Sequence, residues 1–280
     1  MKAQALRCLG PHGFHRVAYY DWGERANPRT VVCVHGMTRN GRDFDYLART
    51  LAPQMRVICP DVVGRGASDW LSHAEDYGYP VYVSDMAALV ARAGAEQVDW
   101  VGTSMGGLIG MMLAAQPGSP IRRLVVNDIG PVIPKAALER LALYIGKAPR
   151  FATLNDLERY LRTVSAPFGP LTDDQWRHLA EHSSCRCDDG GFAMHYDPAI
   201  AQAFAGELRD VVLWPVWDAV RCPTLVLRGR QSDLLTAETA EEMMRRGPKA
   251  RLVQFDGMGH APALMAEDQI AVVRDFLERP

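Results

Sequence analysis

Ser104 stands in Gly102-Thr103-Ser104-Met105-Gly106, with a glycine two residues before it and another two residues after. Glycine is a cost inside a regular element, so a turn with unusual torsions is expected here. The G-x-S-x-G spacing suits a serine on a tight strand-to-helix turn, its hydroxyl held above the strand end. The chemistry would be nucleophilic attack. A serine hydroxyl is a weak nucleophile until a base takes its proton, so an imidazole and an orienting carboxylate must lie elsewhere in the chain. Eight histidines are available. His260, in GMGHAP, follows Gly257 and Gly259, which make a loop able to carry an imidazole over the serine. The candidate carboxylates are Asp128, in VVNDIG, and Asp233, in LRGRQSDLL.

These residues need a scaffold. HRVAYYDWG reads as an early strand, and TVVCV, RVICPD, QVDWVG and IRRLVVN as further strands. TVVCV is a continuous β-branched run, as expected of a strand buried on both faces. Between them, RDFDYLARTLA, VYVSDMAALVARAG and GGLIGMMLAAQ carry helical spacing. The alternation predicts a mostly parallel α/β sheet. From Pro131 to about Pro215 the rhythm breaks into helical segments, with no strand predicted, and then CPTLVLRG, TAETAEEMMRRG, ARLVQFDG and EDQIAVVRDFLER restore it.

In a parallel sheet the loops after the strands gather at one edge. Only His35 and His260 share that edge with Ser104. His12, His15 and His73 lie outside it, and His178, His182 and His195 fall in the helical stretch. His260 is therefore the expected base, and His35 is expected to hydrogen-bond within its own loop. Asp128 and Asp233 both lie at the edge, and both keep the order Ser, Asp, His. The reach of the GRQSD loop favours Asp233, leaving Asp128 to cap or orient the entry to the helical stretch. The Met105 N–H opens a helix and points its dipole at a developing oxyanion. The Met37 N–H, in HGMTRNGRDF, is the expected second donor.

VCVHGMT, DVVGRGASD, VGTSMGG, LRGRQSD and GMGHAP occur in this order over nearly the whole chain. Together they resemble the alpha/beta-hydrolase superfamily. The resemblance implies a sheet of about eight strands flanked by helices, a helical cap over the site, a Ser-His-Asp triad and no cofactor. The expected organisation is a core of residues 1–130 and 216–280, with an all-helical cap inserted at 131–215. An aspartate nucleophile, as in epoxide hydrolases of this fold, is excluded by Ser104. DVVGRGASD lacks the G-x-x-x-x-G-K-[ST] phosphate-loop spacing, so Asp61 and Arg65 read as braces of a turn. The expected activity is serine-dependent cleavage of a small carboxylic ester, a lactone or a short hydroxyacyl oligomer. The alternatives are carbon–carbon hydrolysis of a vinylogous diketone acid, from which HGMTRNGRDF departs, and a ligand receptor that keeps the fold.

For substrate contacts, the cap and its approach offer Arg39, Tyr144, Tyr196, Trp214 and Trp217. Aromatic walls suit a small, largely apolar acyl group, and Arg39 suits a carboxylate. His182, Cys185, Cys187 and His195 invite a metal reading, but C-x-C is a poor zinc spacing and no metal is expected. The chain has 280 residues, 48% hydrophobic and 23% charged, with a net charge of −2. That balance gives no bulk attraction to nucleic acid or to an anionic membrane. No apolar run approaches membrane-spanning length, the N-terminal stretch has no signal-peptide core, and six scattered cysteines suit a reducing compartment. A cytoplasmic monomer or homodimer acting on a small molecule is expected.

Overall fold

The computed structural model describes residues 1–279. Strands β1 (Lys2–Gly10) and β2 (Gly13–Trp22) open the chain as an antiparallel hairpin. Then come β3 (Thr30–Val34), α1 (Asp45–Leu51), β4 (Arg56–Pro60), α2 (Tyr79–Ala93), β5 (Val98–Thr103), α3 (Met105–Ala114) and β6 (Ile121–Asn127). Every residue of β3 and β4 is buried, because helices cover both faces of the sheet and the β-branched runs have no wet side. Helix α2 starts with Pro80 in its first turn and stops at Gly94, which has φ 70°. It buries Val81, Tyr82, Met86, Leu89 and Val90 along one stripe.

After β6 the chain leaves the sheet for β7 (Val132–Ile133), α4 (Lys135–Ala142), β8 (Arg150–Phe151), α5 (Leu154–Val164), α6 (Asp173–Ser183), β9 (Ser184–Arg186), β10 (Phe192–Met194), β11 (Val211–Val212) and α7 (Trp214–Ala219). It returns through β12 (Thr224–Gly229), α8 (Ala237–Arg245), β13 (Arg251–Phe255) and α9 (Glu267–Glu278). The main sheet has eight strands in the order β1-β2-β4-β3-β5-β6-β12-β13; only the pairs made by β2 are antiparallel. β5 is central, and β6 is its neighbour.

The expectation of an all-helical cap is corrected here. The stretch between β6 and β12 is not all-helical. β8, β10 and β9 form a small antiparallel sheet, and β11 pairs with β7. These strands are two or three residues long, too short to show a period of two. The segment DPAIAQAF is a 3-10 turn at Pro198–Phe204, with Pro198 in its first turn and the Asp197 carboxylate accepting from the Ala199 N–H. Helices α5 and α6 start as their sequences direct. Thr153 with Asp156, and Thr172 with Gln175, form capping boxes.

Candidate active site

Ser104 is the residue between β5 and α3, with φ 51° and ψ −115°. That left-handed torsion is costly for a side-chain-bearing residue and concentrates at functional sites. The flanking glycines follow from how close the chain passes. A Cβ on Gly102 would fall on the Gly106 backbone, and one on Gly106 would fall on the Val34 carbonyl. The turn is tied down by Ser104 N–H donating to Asn127 O at 2.9 Å and Gly106 N–H to His35 O at 3.1 Å.

Ser104 Oγ lies 2.9 Å from His260 Nε2, and His260 Nδ1 lies 2.8 Å from Asp128 Oδ2. The carboxylate that meets His260 is therefore Asp128, not the expected Asp233. Asp128 directly follows β6, beside the strand that leads into Ser104, and its side chain is 0% exposed. Its Oδ1 accepts from the Gly229 N–H at 2.8 Å, and its Oδ2 also accepts from the Ser232 hydroxyl at 2.5 Å. The GRQSD loop thus supports the carboxylate instead of supplying it. Asp233 is 48% exposed and holds Arg140 of α4 through Nε at 2.5 Å and Nη2 at 2.9 Å. Like Ser104, Asp128 has a left-handed φ, 56°. Asn127 fastens the surroundings, its Nδ2 donating to Thr103 Oγ1 at 3.0 Å and to Pro262 O at 2.8 Å.

The partners determine the proton positions. Asp128 accepts, so His260 Nδ1 carries the hydrogen and Nε2 is free to accept from the serine hydroxyl. His35 is different. Its Nδ1 donates to Gly36 O at 2.7 Å, and its Nε2 accepts from the Val62 N–H at 2.9 Å. Both nitrogens are used by backbone, as expected of a residue that shapes its loop. Burial drives its pKa down to about 3. A histidine depressed in this way contributes stability that is complete above the unfolded value near 6.5 and is lost as pH falls from there towards 3. Urea titrations from about pH 7.5 to pH 5 are expected to show wild-type stability falling by up to about 1.4 kcal/mol per pH unit at the acid end. His35→Gln, destabilised at neutral pH, should show a flatter profile; equal slopes would place the acid sensitivity elsewhere.

Met37 lies in the loop after β3 and lines the same cavity as Ser104, and Met105 opens α3. Neither N–H donates to a backbone carbonyl among the described residues. The loop is braced as expected. Arg65, 0% exposed, donates through Nε to Met37 O at 2.7 Å and through Nη1 to Val63 O at 2.7 Å. Asp61 accepts from the Gly41 N–H at 2.7 Å and the Ala67 N–H at 2.8 Å. Burial raises the Asp61 pKa to about 6.

Above Ser104 and His260 is a small cavity of about 90 Å³. Arg39, Tyr144 and Tyr196 line it. Trp214 and Trp217 do not, and that expectation is corrected. Trp217 is fully buried with its Nε1 donating to Arg246 O at 3.2 Å, and Trp214 lies beneath the Arg246 guanidinium at 4.4 Å. Both hold α7 against the end of α8. Arg140 and Tyr160 are lining residues that the sequence reading missed. A signal existed: Arg140, Leu141, Tyr144 and Ile145, like Tyr160, Leu161 and Val164, recur at helical spacing and form one face. Cys8, His15 and Asp85, and likewise Asp45, His178 and His182, bring ligand-type atoms within 4.8 Å. Neither group lines the cavity. His15 is already bonded to Asp85 at 2.8 Å, and Arg42 holds Asp45.

A sequence model described as the alpha/beta hydrolase family matches residues 31–274. A 3-hydroxybutyrate-oligomer hydrolase of Cupriavidus necator is 47% identical, over 97% of this chain and 96% of that protein. An esterase of Mycobacterium tuberculosis is 31% identical, over 92% of this chain and 85% of its own length. The crystal structure of an alpha/beta hydrolase from Novosphingobium aromaticivorans superposes with a TM-score of 0.88 at 37% identity, covering 99% of both chains.

Proposed function

The chain belongs to the alpha/beta hydrolase family, and from that premise we propose that it is a carboxylesterase-type serine hydrolase for short hydroxyacyl oligomers and related small esters. The observation that carries the reading is the unbroken relay Ser104–His260–Asp128 at the floor of the cavity. The 47% identical relative supports the substrate class.

The mechanism follows from the hydrogen-bond directions. Ser104 Oγ adds to the ester carbonyl as its proton passes to His260 Nε2, and Asp128 steadies the imidazolium. The Met37 and Met105 N–H groups hold the oxyanion; in other enzymes one such donor accounts for about 2.7–4 kcal/mol. Collapse breaks the bond to the alcohol oxygen, which takes the proton from Nε2, and leaves the acyl group on Ser104. Water then adds to the acyl carbon, giving its proton to Nε2. A second collapse returns that proton to Oγ and releases the acid.

Residues 131–215 act in this reading as a cap. α4, α5 and β10 contribute lining residues opposite Ser104. Six free cysteines support a cytoplasmic location, and among the described residues no helix is long and apolar enough to cross a membrane. The expected result with p-nitrophenyl esters from acetate to octanoate is fastest turnover at the short end. Dimers and trimers of 3-hydroxybutyrate should be cleaved to monomer. An enzyme that cleaves none of these esters refutes the proposal.

A further inference from the structure

Two arginines, Arg39 and Arg140, are among the residues lining a cavity whose other walls include Leu141, Ile145, Leu161 and Val164. A cation against apolar walls is unfavourable unless an anion meets it. Arg39 satisfies this within its own loop. Its Nε and Nη2 bond Asp43 at 2.8 and 2.7 Å, and its guanidinium faces Phe168.

Arg140 gives the same edge to its carboxylate, but it sits nearer the mouth and has Tyr144 beside it. Its partner Asp233 comes from the loop after β12, and the two side chains are 38% and 48% exposed, so the ion pair lies at the rim. Asp233 takes the edge formed by Nε and Nη2. The end-on edge, Nη1 with the second hydrogen of Nη2, is not taken by a carboxylate among the described residues. Arg140 lines the cavity, whereas Asp233 does not. The Tyr144 hydroxyl lies beside the guanidinium, and burial raises its pKa, so it keeps a proton to donate.

We propose that Arg140, aimed by Asp233 and joined by Tyr144, is a subsite for a free carboxylate on the substrate, making the enzyme selective for esters with an ionised end. The proposal rests on the ester-hydrolase reading above and narrows its substrate class. A short hydroxyacyl oligomer carries one such carboxylate, at its acid terminus. A planar guanidinium can meet that group with two parallel hydrogen bonds, which a lysine ammonium cannot reproduce.

The test compares kcat/KM for 3-hydroxybutyrate trimer and for its methyl ester, in the wild type, Arg140→Gln, Arg140→Lys and Asp233→Asn. The wild type should prefer the free acid by at least about tenfold. Arg140→Gln should lower the free-acid value by about 30- to 100-fold, mostly through KM, and the methyl-ester value by less than about threefold. Arg140→Lys should recover only part of the loss. Asp233→Asn should lower the free-acid value less than Arg140→Gln does, because it disturbs only the aim of the guanidinium. Equal losses on both substrates in Arg140→Gln, or a wild type indifferent to the charge, overturn the subsite and leave the esterase reading standing. A wild type that cleaves neither substrate overturns both.

Discussion

Asp128→Asn is expected to lower kcat for p-nitrophenyl butyrate by about ten-thousandfold, while Asp233→Asn changes it by less than about threefold. The difference follows from the hydrogen bonds. The Gly229 N–H requires an acceptor at position 128. An asparagine would answer with its carbonyl oxygen and turn its NH2 towards His260 Nδ1 and Ser232. The imidazole would then accept at Nδ1 and carry its proton on Nε2, where it could no longer take one from Ser104. Geometry would survive and the tautomer would be wrong. Asp233, by contrast, is half exposed and among the described residues bonds Arg140. Steady-state rates of the two variants decide the matter, since the opposite pattern would return the orienting role to Asp233.

Ser104→Ala is the second large effect. It should reduce kcat by at least a thousandfold, and by as much as about a millionfold if the three residues act as a unit. The deletion removes only a hydroxyl from a turn whose hydrogen bonds are made by backbone, so the fold and the cavity should remain. Thermal unfolding should therefore be near that of the wild type, and the 3-hydroxybutyrate trimer should still bind. Combining Ser104→Ala with Asp128→Asn should cost little beyond the serine deletion alone. Full additivity of the two losses would mean that the residues work independently.

Much of this site was legible in the chain. The glycines around Ser104 signalled close backbone approach, and GMGH signalled a mobile imidazole at the same sheet edge. The choice between Asp128 and Asp233 was not legible. It depends on strand order: β6 lies next to β5, so the residue that follows it is already beside Ser104, while the end of β12 and the loop after it reach over with Gly229 and Ser232. Nothing in the local sequence carries that adjacency. β1 was missed for another reason. KAQALRCLG is a largely exposed edge strand with no β-branched residue, made regular by its register with β2 from Lys2 opposite Asp21 to Gly10 opposite Gly13. Trp214 and Trp217 were assigned to the pocket from their place in the chain near the end of the insertion. α7 instead turns them towards Arg246.

The central claim is that Ser104 carries the acyl group. Its most direct test is to treat the enzyme with a fluorophosphonate ester, then map the modified peptide by mass spectrometry in the wild type, Ser104→Ala and Asp128→Asn. The account predicts one adduct on Ser104 in the wild type, slow labelling at the same residue in Asp128→Asn, and none in Ser104→Ala. An adduct on a different residue, or equal labelling of the Ser104→Ala variant, would contradict it.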